Sequence, residues 1–201
     1  MKYISNLLNS KKTVFWYQDL MILCNISNKN SIKYIAKNLV KNNILINIYS
    51  GVFCLYNYDI YELVNKIKSP SYISFETVLY KAGLIFQYSS NQFFLVSNDS
   101  RNKIIKSTNS KVSQDIYIIY KKIKDDILYN PIGIINVWNY QIASPERAIC
   151  DTIYINPDYY FDNLSWVNFE LLTQISYIYP KSTQIYISQI IQNATNSNSQ
   201  K

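Results

Sequence analysis

An α+β protein in two parts is what the sequence predicts, and three observations carry that prediction. Asn30 to Lys41 sets apolar residues at helical spacing, and residues 44 to 55 read as two short strands around a glycine. Beyond Pro70, strand-like runs alternate with segments that open on helix-capping residues. The chain has 201 residues, 48% of them apolar, enough for one large or two small buried cores. The excess of Ile, Asn, Lys and Tyr (20 Tyr) follows a coding bias toward A and T, so aromatic abundance carries no functional weight.

Lys2 to Asn9 reads as a first helix with Tyr3, Ile4, Leu7 and Leu8 on one side, stopped by Ser10-Lys11-Lys12. Thr13 is placed to cap a second helix reaching about Leu23. In the third, Ile32, Ile35, Ala36, Leu39 and Val40 form the inward stripe, and Asn42-Asn43 suits its stop. A hairpin follows, with Gly51 supplying positive φ in its loop. Three helices and a hairpin in about 55 residues match a winged helix-turn-helix, whose third helix enters the major groove. Asp59 to Ile67 is a connecting helix, and Lys68-Ser69-Pro70 breaks the chain, giving a DNA-binding domain over 1–69.

Residues 70–191 are expected to form a mixed domain with an antiparallel sheet and flanking helices. Ser71 to Gly83 reads as a helix with Ser71 or Ser74 as N-cap and Gly83 as its stop, Leu84–Tyr88 and Phe93–Ser97 as a hairpin, and Lys103–Ser107 and Asp115–Lys124 as strands. Ile132–Trp138 and Tyr140–Ile142 form a second hairpin. Ser144 followed by Pro145 and Glu146 starts a helix to Ile155, with Ala148, Ile149, Thr152 and Ile153 toward the sheet. Further helices cover Asn168–Ile178 and Ser182–Ile191, and 192–201 reads as a disordered polar tail.

Charge is distributed unevenly. Residues 1–69 hold nine lysines and three acids (Asp19, Asp59, Glu62), whereas the rest of the chain is nearly balanced. The outer face of the third helix carries Asn30, Lys33, Tyr34, Lys37, Asn38 and Lys41, with Ser31 beside them. Lysines at i, i+4 and i+8 without an acid repel one another mildly unless an external anion covers them. A phosphate backbone is such an anion, so these residues are the candidate contacts to double-stranded DNA, with Asn47 and Tyr49 offered by the hairpin. The hairpin is neutral, and the helix is expected to dominate affinity. Arg101, Lys103, Lys106, Lys121, Lys122 and Lys124, together with Lys111, suggest a second basic surface, for nucleic acid or as a solvated sheet edge. Glu146 to Glu170, with five acids and one arginine, reads as an acidic flank.

Much chemistry is excluded. Without histidine there is no Ser-His-Asp or Cys-His nucleophile pair, and the commonest metal ligand is missing. Gly51, Gly83 and Gly133 stand singly, so no phosphate-cradling loop is possible. Cys24, Cys54 and Cys150 read as core residues. Asp125-Asp126 and Asp158/Asp162 read as surface acids, and Glu146-Arg147 as a helix-start acid beside an arginine that bridges to a neighbouring carboxylate. No catalytic residue, metal or cofactor is assigned. No run is apolar enough to cross a membrane, and a cytoplasmic protein is expected.

Pro70 to Gln87 (PSYISFETVLYKAGLIFQ), Ala143 to Tyr154 (ASPERAICDTIY) and the helix-hairpin ending in Gly51-Val52-Phe53 together resemble the AbiEi family of antitoxins from type IV, abortive-infection toxin-antitoxin systems. The resemblance spans about residues 13 to 180. It implies a bacterial phage-defence protein that binds operator DNA through its winged helix and represses its own operon. A C-terminal domain would counter a nucleotidyltransferase-like toxin without a stable complex. The alternative from another class is a protein-interaction module that inhibits a partner by direct binding.

Overall fold

A computed structural model describes residues 2–106 and 114–198; Lys111 falls outside them. The chain divides into two compact units, Met1–Lys68 with Ile104–Ile116, and Ser69–Lys103 with Tyr117–Lys201. The division at Lys68 falls one residue from the expected boundary, but the first unit also takes in 104–116, which the linear reading assigned to the second domain.

In the first unit, α1 (Lys2–Asn9), α2 (Tyr17–Cys24) and α3 (Lys29–Lys41) are joined by β1 (Val14–Trp16), β2 (Ile46–Tyr49) and β3 (Val52–Cys54), before α4 (Ile60–Lys66). The strands form an antiparallel sheet in the order β1-β3-β2. Leu7, Phe15, Leu20, Ile32, Ala36, Leu39, Leu45 and Phe53 share one buried cluster, so the helices and the sheet close on a common core. The expected cap at Thr13 is corrected. Thr13 donates its N–H (2.9 Å) and hydroxyl (2.6 Å) to buried Glu62 of α4 and receives the Asp59 N–H, and the residues after it form β1. The helix begins at Tyr17, where Asp19 reaches back to the Trp16 N–H at 2.8 Å.

Then come β4 (Ser71–Ile73), α5 (Phe75–Lys81) and β5 (Gln92–Ser97) of the second unit, β6 (Lys103–Ile105) and β7 (Ile116–Lys122), which straddle the division so that Ile104, Ile105 and Ile116 count with the first unit, and α6 (Asp125–Leu128). The second unit continues with β8 (Ile134–Val137), β9 (Tyr140–Ala143), α7 (Pro145–Ile155), α8 (Phe169–Ser176) and α9 (Lys181–Asn198). The sheet order is β6-β7-β5-β4-β9-β8. It is mixed, which corrects the antiparallel expectation: β4/β5 and β8/β9 are antiparallel, but β5/β7 and β4/β9 are parallel. Alternation along a strand fixes which face is buried, not which neighbour it meets.

Two local readings also change. Of the two expected N-caps, Ser74 is the one that precedes α5, while Ser71–Ile73 is a strand, which places Tyr72 and Ser74 on one face. Leu84–Tyr88 is not a strand; Leu84 O accepts the Asp162 and Asn163 N–H groups, and Phe86 N–H donates to Asp162. The polar stretch read as a disordered tail instead continues α9 to Asn198, with no Gly or Pro after Pro180 to stop it, and the last part of the expected tail, 199–201, lies outside the described residues.

The Ser144-Pro145 start holds: Ser144 Oγ accepts the Arg147 N–H at 3.2 Å. Residues Glu146 through Ile153 of α7 are all buried, because α5, α8, α9 and β9 surround the helix instead of the sheet taking one face. Close approach is possible at Gly133, where φ is +76°. A Cβ there would lie 2.8 Å from Ile175 Cδ1 and 2.9 Å from Arg147 Cβ. Gly133→Ala is expected to cost about 1–3 kcal/mol, read by denaturant unfolding, from left-handed strain plus overpacking; a loss below a few tenths contradicts the packing described.

Candidate nucleic-acid interface

α3 owes its start to Asn28, whose side-chain oxygen accepts the N–H groups of Asn30 (2.8 Å) and Ser31 (3.1 Å). Before it, Asn25 ends α2 in the left-handed region, so α2 and α3 are separated by residues 25–28 alone. Ile32, Ala36 and Leu39 are buried and Ile35 and Val40 half-buried, which turns the opposite side of α3 outward.

That outward side holds Asn30, Ser31, Lys33, Tyr34, Lys37 and Lys41, all exposed, with Tyr34 at 67%. Asn38 is half-buried and lines a cleft with Tyr3, Ile4, Ile35 and Ile44, so it stands at the margin. Lys29 is also exposed and lies one helical step before Lys33; the linear reading passed over it by starting the helix at Asn30. Residues four apart advance about 40° around a helix, so Lys29, Lys33, Lys37 and Lys41 trace a slow diagonal about 18 Å long. None of the four has a carboxylate within ion-pair distance among the described residues. By contrast Lys12 and Lys66 both pair with Asp19, at 2.8 and 2.9 Å. Burial pushes the Asp19 carboxyl up, but hydrogen bonds from Lys12, Lys66 and the Trp16 N–H outweigh it and hold the group below its ordinary value.

The hairpin contributes less. Asn47 is exposed and Tyr49 half-buried, the ladder slips by a bulge between them, and Gly51 (φ +76°) makes the turn against the Trp16 ring. No charged residue lies between Lys41 and Asp59.

The expected second basic surface does not form one unneutralised patch. Arg101 pairs with Asp99 at 3.0 Å and Lys106 with Asp115 at 2.9 Å. Lys106 belongs to the first unit and Arg101, Lys103, Lys121, Lys122 and Lys124 to the second. Lys121 and Lys122 are successive on β7 and point to opposite faces. The acidic flank also shrinks, since Glu146 and Asp151 are buried and Asp158, Asp162 and Glu170 remain exposed.

The polar residues of the two C-terminal motifs meet in the interior. Asp151 accepts hydroxyls from Tyr179 (2.6 Å), Ser74 (2.7 Å) and Tyr72 (3.0 Å). The fully buried Arg147 guanidinium stands 3.5 Å from Asp151 and donates to Ile127 O (2.6 Å), Ile132 O (2.7 Å) and the Tyr72 hydroxyl (3.0 Å). Glu146 does not pair with Arg147; it accepts the Asn168 N–H at 3.2 Å. Burial and the neighbouring Asp151 push the phenols of Tyr72 and Tyr179 well up, which keeps both as donors. Full burial raises the Asp151 carboxyl against the pull of Arg147 and the three hydroxyls. These groups are closed to solvent and hold α7, β4 and the 127–132 segment together. Linear inspection missed the cluster because Tyr72, Ser74, Asp151 and Tyr179 are far apart in the chain.

The three cysteines are buried and free. Among the described residues no group of three or more His, Cys, Asp or Glu could hold a metal ion, and no helix is long and apolar enough to cross a membrane. No family model and no curated protein matches the chain. Among solved structures, the crystal structure of the RV2827C protein from Mycobacterium tuberculosis matches with 10% identity and a TM-score of 0.49, covering 95% of this chain and 75% of that one.

Asp151→Ala leaves the Arg147 charge buried without its counter-ion and is expected to destabilise by about 3–5 kcal/mol. Arg147→Met combined with Asp151→Ala is expected to lose less than the single variant, measured by denaturant unfolding; additive losses would show that the two groups are not coupled.

Proposed function

We propose that the first unit is a winged helix-turn-helix that binds duplex DNA upstream of its own gene and represses that operon, and that the second unit carries an antitoxic activity. The observation that carries the DNA reading is the α3 diagonal of Lys29, Lys33, Lys37 and Lys41, exposed and without acidic partners among the described residues, on a helix whose other side is locked into a core. Lysines on phosphates supply a salt-dependent attraction that is largely independent of sequence. Asn30, Ser31 and Tyr34 stand among them and reach base edges, Asn matching adenine in the major groove. The neutral hairpin, with Asn47 and Tyr49, steadies the approach and adds little charge.

The antitoxin reading is supported by the resemblance of Pro70–Gln87 and Ala143–Tyr154 to the AbiEi family. In that reading the functional partner is a nucleotidyltransferase-like toxin encoded beside this gene, countered without a stable complex, and the protein is not an enzyme. Because the motif polar groups are buried, the antitoxic contact falls on exposed surface of the second unit.

Lys33→Ala with Lys37→Ala is expected to weaken binding to the upstream duplex and to make the slope of log affinity against log salt shallower by about 1–2. The fold is expected to persist, because both side chains are exposed. The same double variant is expected still to rescue growth of cells expressing the adjacent toxin. Unchanged affinity at two salt concentrations contradicts the DNA reading, and a stable stoichiometric complex with the toxin, without duplex binding, favours direct inhibition of a partner.

A further inference from the structure

Beside the lysine diagonal lies a groove of about 220 Å³ between α2 and the start of α3, lined by Trp16, Tyr17, Gln18, Met21, Ile32 and the stems of Lys29 and Lys33. Its walls are almost wholly carbon. Ile32 is buried, Tyr17 is held edge-on against Phe53 with ring centroids 5.0 Å apart, and the Trp16 indole is fixed by its N–H to Lys66 O at 2.9 Å. The groove is therefore preformed. Exposed Lys29 and Lys33, with no carboxylate partner among the described residues, stand at its rim, so a polyanion seated on α3 covers it.

We propose that this groove receives the C5 methyl groups of thymine, making the first unit selective for thymine-containing sites in the major groove. The proposal rests on the DNA-binding reading and adds a specificity that the lysines cannot supply. In the major groove of B-DNA the base edges present donors and acceptors, and the apolar group among them is the thymine methyl. An apolar recess next to two phosphate-seeking side chains matches that group, and its volume accepts more than one methyl, as adjacent thymines present. Met21 supplies an unbranched, adaptable wall, while Gln18, exposed at the mouth, reaches the flanking base or phosphate.

The test uses the full chain and two duplexes of the upstream operator sequence, one natural and one with deoxyuridine in place of every thymidine, which removes only methyl groups. Affinity is expected to fall roughly fourfold for each methyl the groove covers, and single replacements are expected to place the loss at one position or at adjacent positions. Met21→Gln is expected to bring the two duplexes to equal affinity, and Met21→Leu to keep the difference. The ratio is read within each protein, so a general loss of stability does not imitate it. Equal affinity of the unaltered chain for both duplexes overturns the proposal while leaving the DNA reading intact, as does a full difference retained by Met21→Gln. Absence of binding to either duplex removes both.

Discussion

The burial of Ile32, Ala36 and Leu39 fixes the direction in which α3 faces, and the functional reading depends on that orientation. A helix that commits one side to a core has no choice about what the other side shows. Here the other side shows lysines, and the acids of the first unit are occupied elsewhere. Asp19 holds Lys12 and Lys66, and Glu62 binds Thr13 and Val14, tying α4 to β1. Four of the nine lysines in the first third of the chain thus stand on one helix face without an acidic partner among the described residues.

The parts legible in the sequence are those that short-range physics decides. The α3 stripe, the Asn-rich stop, the glycine hairpin and the Ser144-Pro145 start each need only neighbours within a few residues, and each is where the residues placed it. Pairing partners were not legible. The runs at β5 and β7 suit parallel or antiparallel neighbours equally, and the structure pairs them in parallel. The helix start at Ser74, with Glu76 in its first turn, was legible, but the earlier start at Ser71 was not distinguishable from it, and Ser71–Ile73 is held as a strand between β5 and β9. Lys29 was missed by a single residue of helix boundary, the least certain quantity a pattern supplies.

The second unit shows why polar motifs need not mark a reactive site. Tyr72, Ser74 and Tyr179 donate to Asp151 in the interior, and Arg147 donates to Tyr72 and to backbone carbonyls of the 127–132 segment, where an unpaired member would be costly. Their arrangement sets the position of α7 against β4 and leaves the surface of the unit to other residues. Motif residues packed in this way serve the architecture of the unit, and a contact with a partner would fall on its exposed residues.

The central claim is that the four α3 lysines supply the phosphate contacts. The most direct measurement is the salt dependence of duplex binding by the unaltered chain. Four phosphate contacts predict log affinity falling against log salt with a slope of about −3 to −4. A slope near zero, or affinity that rises with salt, contradicts the account.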